Sequence, residues 1–204
     1  AIAWQSSRRI TGKSDGDTIT TWEDETVNNN DVTQGTSGKR PLYKTGIFTG
    51  GSGGSMPSVR FDGTDDALQK TTVSNGPTGD TDVAMFLVGI PIAQSNAKTV
   101  LQYGESAGDK SMHFIYRSGN SAWNLDVFGQ TAQNSFGATS TGTKYIMRGI
   151  YDSATDDRKT YKNGALQNTH NRPLNFGNAE YDVGAFVSQS LYANWDIGDV
   201  GIIP

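Results

Sequence analysis

Apolar and polar residues alternate over short runs in this chain, and the clearest run folds back on itself. Taking Gly119-Asn120 as a two-residue turn pairs Ser118 with Ser121 and Tyr116 with Trp123. Phe114 then faces Leu125 and Met112 faces Val127, so all six large side chains share one side. The other side carries His113 opposite Asp126, Ile115 opposite Asn124 and Arg117 opposite Ala122. A one-residue slip scrambles this segregation, which specifies the register. Asn163-Gly164 marks a second hairpin, with Tyr161 against Leu166 and with Thr160, Lys162, Ala165 and Gln167 on the opposite face. Residues 83–90 (VAMFLVGI) are apolar at every position, which predicts a central strand covered on both faces. Residues 145–151 and the closing DVGII at 199–203 add strands, enough for two packed antiparallel sheets.

Composition supports that picture. A chain of 204 residues fits one β-sandwich domain, and 25 glycines suit short strands joined by tight turns. Asp15-Gly16 and Asp62-Gly63 are further turn signals, and the low-complexity run from Gly50 to Ser55 reads as a long surface loop. Few segments carry strong helix formers over ten residues. A net charge of −4 offers no broad attraction for nucleic acid or anionic lipid. No apolar run approaches the roughly 18 residues of a membrane helix. Without cysteine there are neither disulfides nor thiolate metal sites. The chain starts at Ala1 with no apolar core of leader length, and is expected to be a piece of a larger protein.

The stretch from Asp17 to Leu68 holds the most specific motifs: DGDTITTWED, then NNNDVTQ, RPLY and VRFDGTDDAL. In this order they resemble the laminin-G-like branch of the concanavalin A-like lectins and glucanases. Later, RKTYKNGALQN is similar to that family's Tyr-x-Asn-Gly hairpin, and WDIGDVGII to its terminal strand. The resemblance implies an all-β fold: an antiparallel jelly-roll sandwich of two curved sheets, one of them concave, spanning residues 1–204. It also implies that Asp24 caps a loop behind a packed Trp22. Two features depart from the pattern. The loop after Trp22 and Asp24 has lost its glycines, leaving Asn28-Asn29-Asn30, which tolerate left-handed backbone better than most residues. The chain also stops at Pro204, before the family's closing helical segment.

Four groups of residues bear on chemistry. Glu23-Asp24-Glu25 is one residue short at each step of a glucanase-type acidic cluster and reads as scaffold. Asp62, Asp65 and Asp66 offer hard oxygens to calcium, or bond the turn backbone instead; no cofactor is required. His113 and Asp126 form a surface cross-strand pair without a nucleophile beside them, and His170 is too distant for a zinc site. Sugars need aromatic faces together with amide, carboxylate and guanidinium groups. His113, Arg117, Asn124 and Asp126 on the polar hairpin face, with Tyr192 and Trp195 in later loops, are the expected ligand-binding set, and Tyr103 is a further aromatic beside a loop. Trp22 and Trp123 belong to the core.

The leading expectation is a non-catalytic module for carbohydrate binding or adhesion, in an extracellular, cell-surface or virion protein. Its partner is a glycan or cell-surface polysaccharide, with copies of itself or other virion proteins as alternatives, and with neither nucleic acid nor membrane insertion. The second reading is a structural phage tail-fibre or capsid-decoration component. The third is a glycosidase or polysaccharide lyase on the same scaffold, which requires carboxylates, or a Tyr with His and Arg or Gln, converging in the groove.

Overall fold

The computed structural model describes residues 1–49, 54–95, 97–129, 134–177 and 180–204. These form two antiparallel sheets packed face to face, the expected sandwich. The back sheet runs, in spatial order, Ala165–Asn171, Asp157–Lys162, Tyr145–Asp152, Val83–Pro91, Asn194–Ile203, Met56–Asp62 and Leu42–Phe48, with Ala3–Ser6 beside Asn194–Ile203. The front sheet runs Asn134–Ala138, Ala122–Val127, Ser111–Arg117, Lys98–Gly104, Glu180–Val183, Leu68–Lys70, Val32–Thr33 and Thr21–Trp22.

The first hairpin adopts the register read from its side-chain pattern, from Arg117 opposite Ala122 to Met112 opposite Val127. Its turn differs. Ser121, not Gly119 or Asn120, takes the positive φ (49°), and its N–H bonds the Ser118 carbonyl at 3.2 Å. A four-residue loop closes the same pair, so the register survives. In the second hairpin Asn163 (φ 51°) and Gly164 (φ 85°) make the expected primed turn, with Tyr161 opposite Leu166. Its faces are the reverse of what polarity suggests. Arg158 and Thr160 are buried, while Leu166 is exposed and Tyr161 lies under the Arg148 guanidinium at 4.5 Å. A register shift after Thr160 accompanies this inversion.

Val83–Pro91 is central, flanked by Tyr145–Asp152 and Asn194–Ile203, but it is not covered on both faces. Met85 and Leu87 are buried against the front sheet, whereas Ala84, Phe86, Val88 and Ile90 are only half-buried. One opposing sheet shields one face of a strand. The terminal strand is longer than expected and lies between Val83–Pro91 and Met56–Asp62. Within the glycine-rich run, residues 50–53 lie outside the described residues.

Close packing fixes the distance between the sheets. Trp123 of the front sheet meets Trp195 of the back sheet edge to face, ring centres 4.9 Å apart. A Cβ at Gly149 would sit 2.8 Å from Leu125 Cδ1 and 2.9 Å from Phe114 Cε1, so the facing side chains would have to shift to admit it. Gly184 combines φ +82° with a Cβ position 2.0 Å from Phe61 Cδ1. Asp24 caps its loop as expected, accepting from the backbone N–H groups of Trp4, Thr26 and Asn30 at 2.9, 3.0 and 2.8 Å. Glu25 pairs with Arg9 at 3.0 Å.

Gly184→Ala adds left-handed strain to a steric clash and should cost roughly 3 kcal/mol, about 6–12 °C in Tm for a domain of this size. Gly108→Ala, where a methyl meets nothing within 4 Å, should leave Tm within about 2 °C in the same calorimetric scan.

Candidate functional site

Directly paired residues of a sheet share a face. The front-sheet registers therefore define one row on its outer face, away from the core: Thr33, Gln69, Asp182, Gln102, His113 and Asp126, one from each of six successive strands. Such a row belongs in water, yet Gln102, Asp182, His113 and Asp126 are all buried. The cover is a hairpin finger made by Ala185–Phe186 and Leu191–Tyr192, with the short 3-10 turn Val187–Gln189 at its tip. Phe186 lies against the His113 ring at 5.3 Å and against Phe128 at 6.0 Å. The Val187 N–H bonds an Asp182 oxygen at 2.8 Å. The base of the finger is closed by the Ala193 N–H on the Gly184 carbonyl at 2.8 Å, and Ser190 at its tip is left-handed (φ 54°).

Beyond the finger the row emerges into an open groove of about 590 Å³. Thr33 and Gln69 lie in its floor, Val187 and Tyr192 of the finger line one side, and Asp31, Asp65, Lys39 and Lys70 add charge. One aromatic ring amid amide, hydroxyl and carboxyl groups suits a polyhydroxylated ligand.

Burial perturbs the covered part of the row. It pushes the His113 imidazole down to about 3, with Arg117 and Arg158 acting in the same direction, so the ring is neutral. It raises the Asp126 carboxyl above its ordinary value, opposed by the Arg117 guanidinium, which donates to Asp126 Oδ2 at 2.8 Å. It raises Asp182 to about 7, against the Val187 N–H and the Gln69 amide. Asp126 and Asp182 stand three strand steps apart, about 14 Å along the row. That exceeds the separation of either glycosidase carboxylate pair, so the two do not form one.

Of the six expected binding residues, the fold brings four to one face. His113, Arg117, Asn124 and Asp126 share the outer side of the first hairpin. The expected surface pair of His113 and Asp126 is in fact buried, because the finger folds over it. Asn124 is also buried, its amide donating to the Ala122 carbonyl at 2.8 Å and engaging Asn120. Tyr192 reaches the groove wall. Trp195 does not: it is fully buried against Trp123, since its strand is central and its side chain points between the sheets. Tyr103 is core as well, its hydroxyl donating to the Pro77 carbonyl at 2.6 Å. His170 sits in Ala165–Asn171 and contacts Arg158 through Nδ1 at 3.1 Å.

Asp62, Asp65 and Asp66 each bring one oxygen within 4.8 Å of the others. Asp62 Oδ1 accepts the N–H of Thr64 at 2.8 Å, with longer bonds from Asp65 and Asp66, and Asp66 Oδ2 accepts the N–H of Asp62. These are the bonds of a turn, and they occupy oxygens that a calcium ion would need. Burial, and then the neighbouring Asp62, raise Asp66 to about 6. Gln69, Gln102 and Asp182 were missed by sequence reasoning. Each is a lone polar side chain in a short strand, a signal that gains meaning only once the strand order is known.

No family model matches this chain, and no curated protein matches it. Solved structures do. A GH54 α-L-arabinofuranosidase soaked with a cyclic sulfate inhibitor aligns with a TM-score of 0.74 at 11% identity, over 98% of this chain and 58% of that one. Domain 4 of AbnA, a GH43 extracellular arabinanase from Geobacillus stearothermophilus, in complex with arabinotriose, aligns at 0.62 and 13%, over 98% and 90%. A Trypanosoma rangeli sialidase in complex with the inhibitor DANA aligns at 0.58 and 10%, over 98% and 30%. The chain thus spans little more than half of the arabinofuranosidase. At these identities the likeness is one of fold: an all-β sandwich of the kind found in glycoside hydrolases. The expectation of a non-catalytic recognition module, and of a chain that is not an enzyme, is overturned by these neighbours, which favour the glycosidase alternative.

Asp182 binds its proton more tightly folded than unfolded, so its contribution to stability is complete below the ordinary carboxylate range and disappears as pH rises through about 7. His113 works oppositely: its contribution is present above about 6.5 and is lost as pH falls towards 3. Asp182→Asn should therefore gain stability relative to the parent as pH rises from 5 to 8, read as the difference in Tm at each pH. A pH-independent difference would contradict the burial of that carboxyl.

Proposed function

We propose that this chain is the β-sandwich part of a glycosidase acting outside the cell, with a glycan chain lying in the groove between Gln69 and Tyr192. The observation that carries the reading is the position of Asp182. Its carboxyl holds a proton near neutral pH, as a general acid must, and it stands one strand step from Gln69 in the groove floor. Asp65, which lines the same groove, is assigned as the second carboxyl. Asp182 lies beneath the finger at the end of the groove, so it would protonate the departing glycosidic oxygen with the finger displaced, while Asp65 would activate water or attack the sugar carbon. Tyr192 would stack on an adjacent sugar. Arabinan and arabino-oligosaccharides are the first substrates to test, because two of the neighbouring structures are named for enzymes of arabinose-containing glycans. The finer laminin-G-like assignment is consistent with the packed Trp22, the Asp24 loop cap and the Asp62 turn. Membership in a larger protein remains part of this proposal.

Sugar release from arabinan and from nitrophenyl arabinofuranosides should be measurable. Asp182→Asn and Asp65→Asn should each lower kcat by about 100-fold or more, and the parent's kcat should fall as pH rises through about 7. Tyr192→Ala should mainly raise KM. Saturable oligosaccharide binding with no bond cleavage by the parent chain would overturn the enzymatic reading. Full activity of Asp182→Asn would remove its role as acid.

A further inference from the structure

The covered row carries an unusual concentration of buried polar atoms with no hydrogen-bond partner among the described residues. They are Gln102 Oε1, His113 Nδ1, Asp126 Oδ1 and Asp182 Oδ1, with Thr99 Oγ1 and Ser111 Oγ on the same face. A buried polar atom without a partner costs about 1–3 kcal/mol, so native structures hold few of them. Here they lie together, in register, directly beyond the groove floor. The finger that covers them offers them little. Phe186 presents a ring to His113, and of the finger's groups only the Val187 N–H reaches the row, at Asp182 Oδ2, while the Gln69 amide beside that carboxyl makes no full hydrogen bond to Oδ1.

We propose that the Ala185–Ser190 part of the finger is a flap, and that the row Asp182, Gln102, His113 and Asp126 is a second sugar subsite uncovered when it lifts. This rests on the glycan reading of the adjoining groove and names the kind of sugar. Two of the unmatched atoms, Gln102 Oε1 and Asp126 Oδ1, are oxygens that need donors, while the protonated Asp182 carboxyl can donate its own O–H. The Gln102 amide is fixed in that sense because its NH₂ already donates to the Gly104 carbonyl. Hydroxyl groups of an uncharged sugar provide such donors. A sialic or uronic acid would bring its own carboxylate against Asp126 and Glu180, and Arg117 is already engaged by Asp126. The subsite therefore selects neutral sugars. The movement is local: the base stays on the front sheet, with the Gly184 N–H on the Val100 carbonyl at 2.8 Å and Tyr192 paired with Thr99. Gly184 (φ +82°) and Ser190 (φ 54°) bracket the part that lifts, whose tip is held to the body by a contact between the Ser188 and Ser106 hydroxyls.

That contact provides the test. Cysteines at both positions lie within bonding reach, so Ser106→Cys combined with Ser188→Cys locks the flap when oxidised and frees it when reduced. Two readouts apply to the full chain. Carbethoxylation of His113, with His170 as internal control, reports uncovering without any ligand. It should proceed at least tenfold faster in the reduced form, and arabinotriose should protect against it. Calorimetry with arabinotriose should show binding at least tenfold weaker in the oxidised form, with a sialylated trisaccharide binding no better in either form. Gln102→Leu should weaken arabinotriose binding by about tenfold while leaving Tm unchanged or higher, since it replaces an unmatched polar group with an apolar one. Equal affinity of the oxidised and reduced forms, or unchanged affinity in Gln102→Leu, would overturn the subsite, and with it access to Asp182, and leave glycan binding in the open groove standing. Absence of sugar binding in every form would instead remove the glycan reading, and the subsite with it.

Discussion

The pairing of Ser111–Arg117 with Ala122–Val127 is the constraint on which the rest of the molecule depends. Almost every residue of these two strands is buried, on both faces. One face, with Met112, Phe114, Tyr116, Trp123, Leu125 and Val127, is pressed against the back sheet. The Trp123–Trp195 contact and the side-chain-free surface of Gly149 set how close the sheets come. Because the strand period is two, committing these residues to the core leaves His113, Asn124 and Asp126 on the opposite face without alternative. The polar row is thus a geometric consequence of core packing.

Desolvation follows from what covers that row. A finger of eight residues places Phe186 over His113 and excludes water from groups that would otherwise be solvated. A neutral imidazole, a carboxyl with a raised pKa and several unmatched oxygens are what a low-dielectric cover produces when too few donors come with it. Arg117 partly offsets this at Asp126, and the Val187 N–H does so at Asp182. A structural network would be expected to satisfy its members more completely, which is why the imbalance points towards a ligand.

The likeness to arabinofuranosidase, arabinanase and sialidase structures concerns the scaffold. Sandwiches of this kind host different chemistries on the same sheets, so the neighbours show the fold and place no residues. Placement comes from this chain: the 590 Å³ groove, its floor at Thr33 and Gln69, and Asp182 one strand further in.

Local pattern determined a good deal. The alternation in the first hairpin specified its register residue by residue, and Asn163-Gly164 specified a primed turn, because both depend on neighbours close in sequence. The loop-capping role of Asp24 came from the family resemblance that its motif carries, and the core position of Trp123 from that same hairpin register. What local pattern left open was everything set by distant segments. Trp195 reads as a loop aromatic until its strand is placed in the middle of the back sheet. The inward face of the second hairpin, with Arg158 and Thr160, depends on a register shift and on the opposite sheet. The row itself draws on strands that begin at residues 32, 68, 98, 111, 122 and 180. No sequence window contains it, so only the tertiary pairing could assemble Gln69, Gln102 and Asp182 with His113 and Asp126, and only the fold-back of the finger could take them out of water.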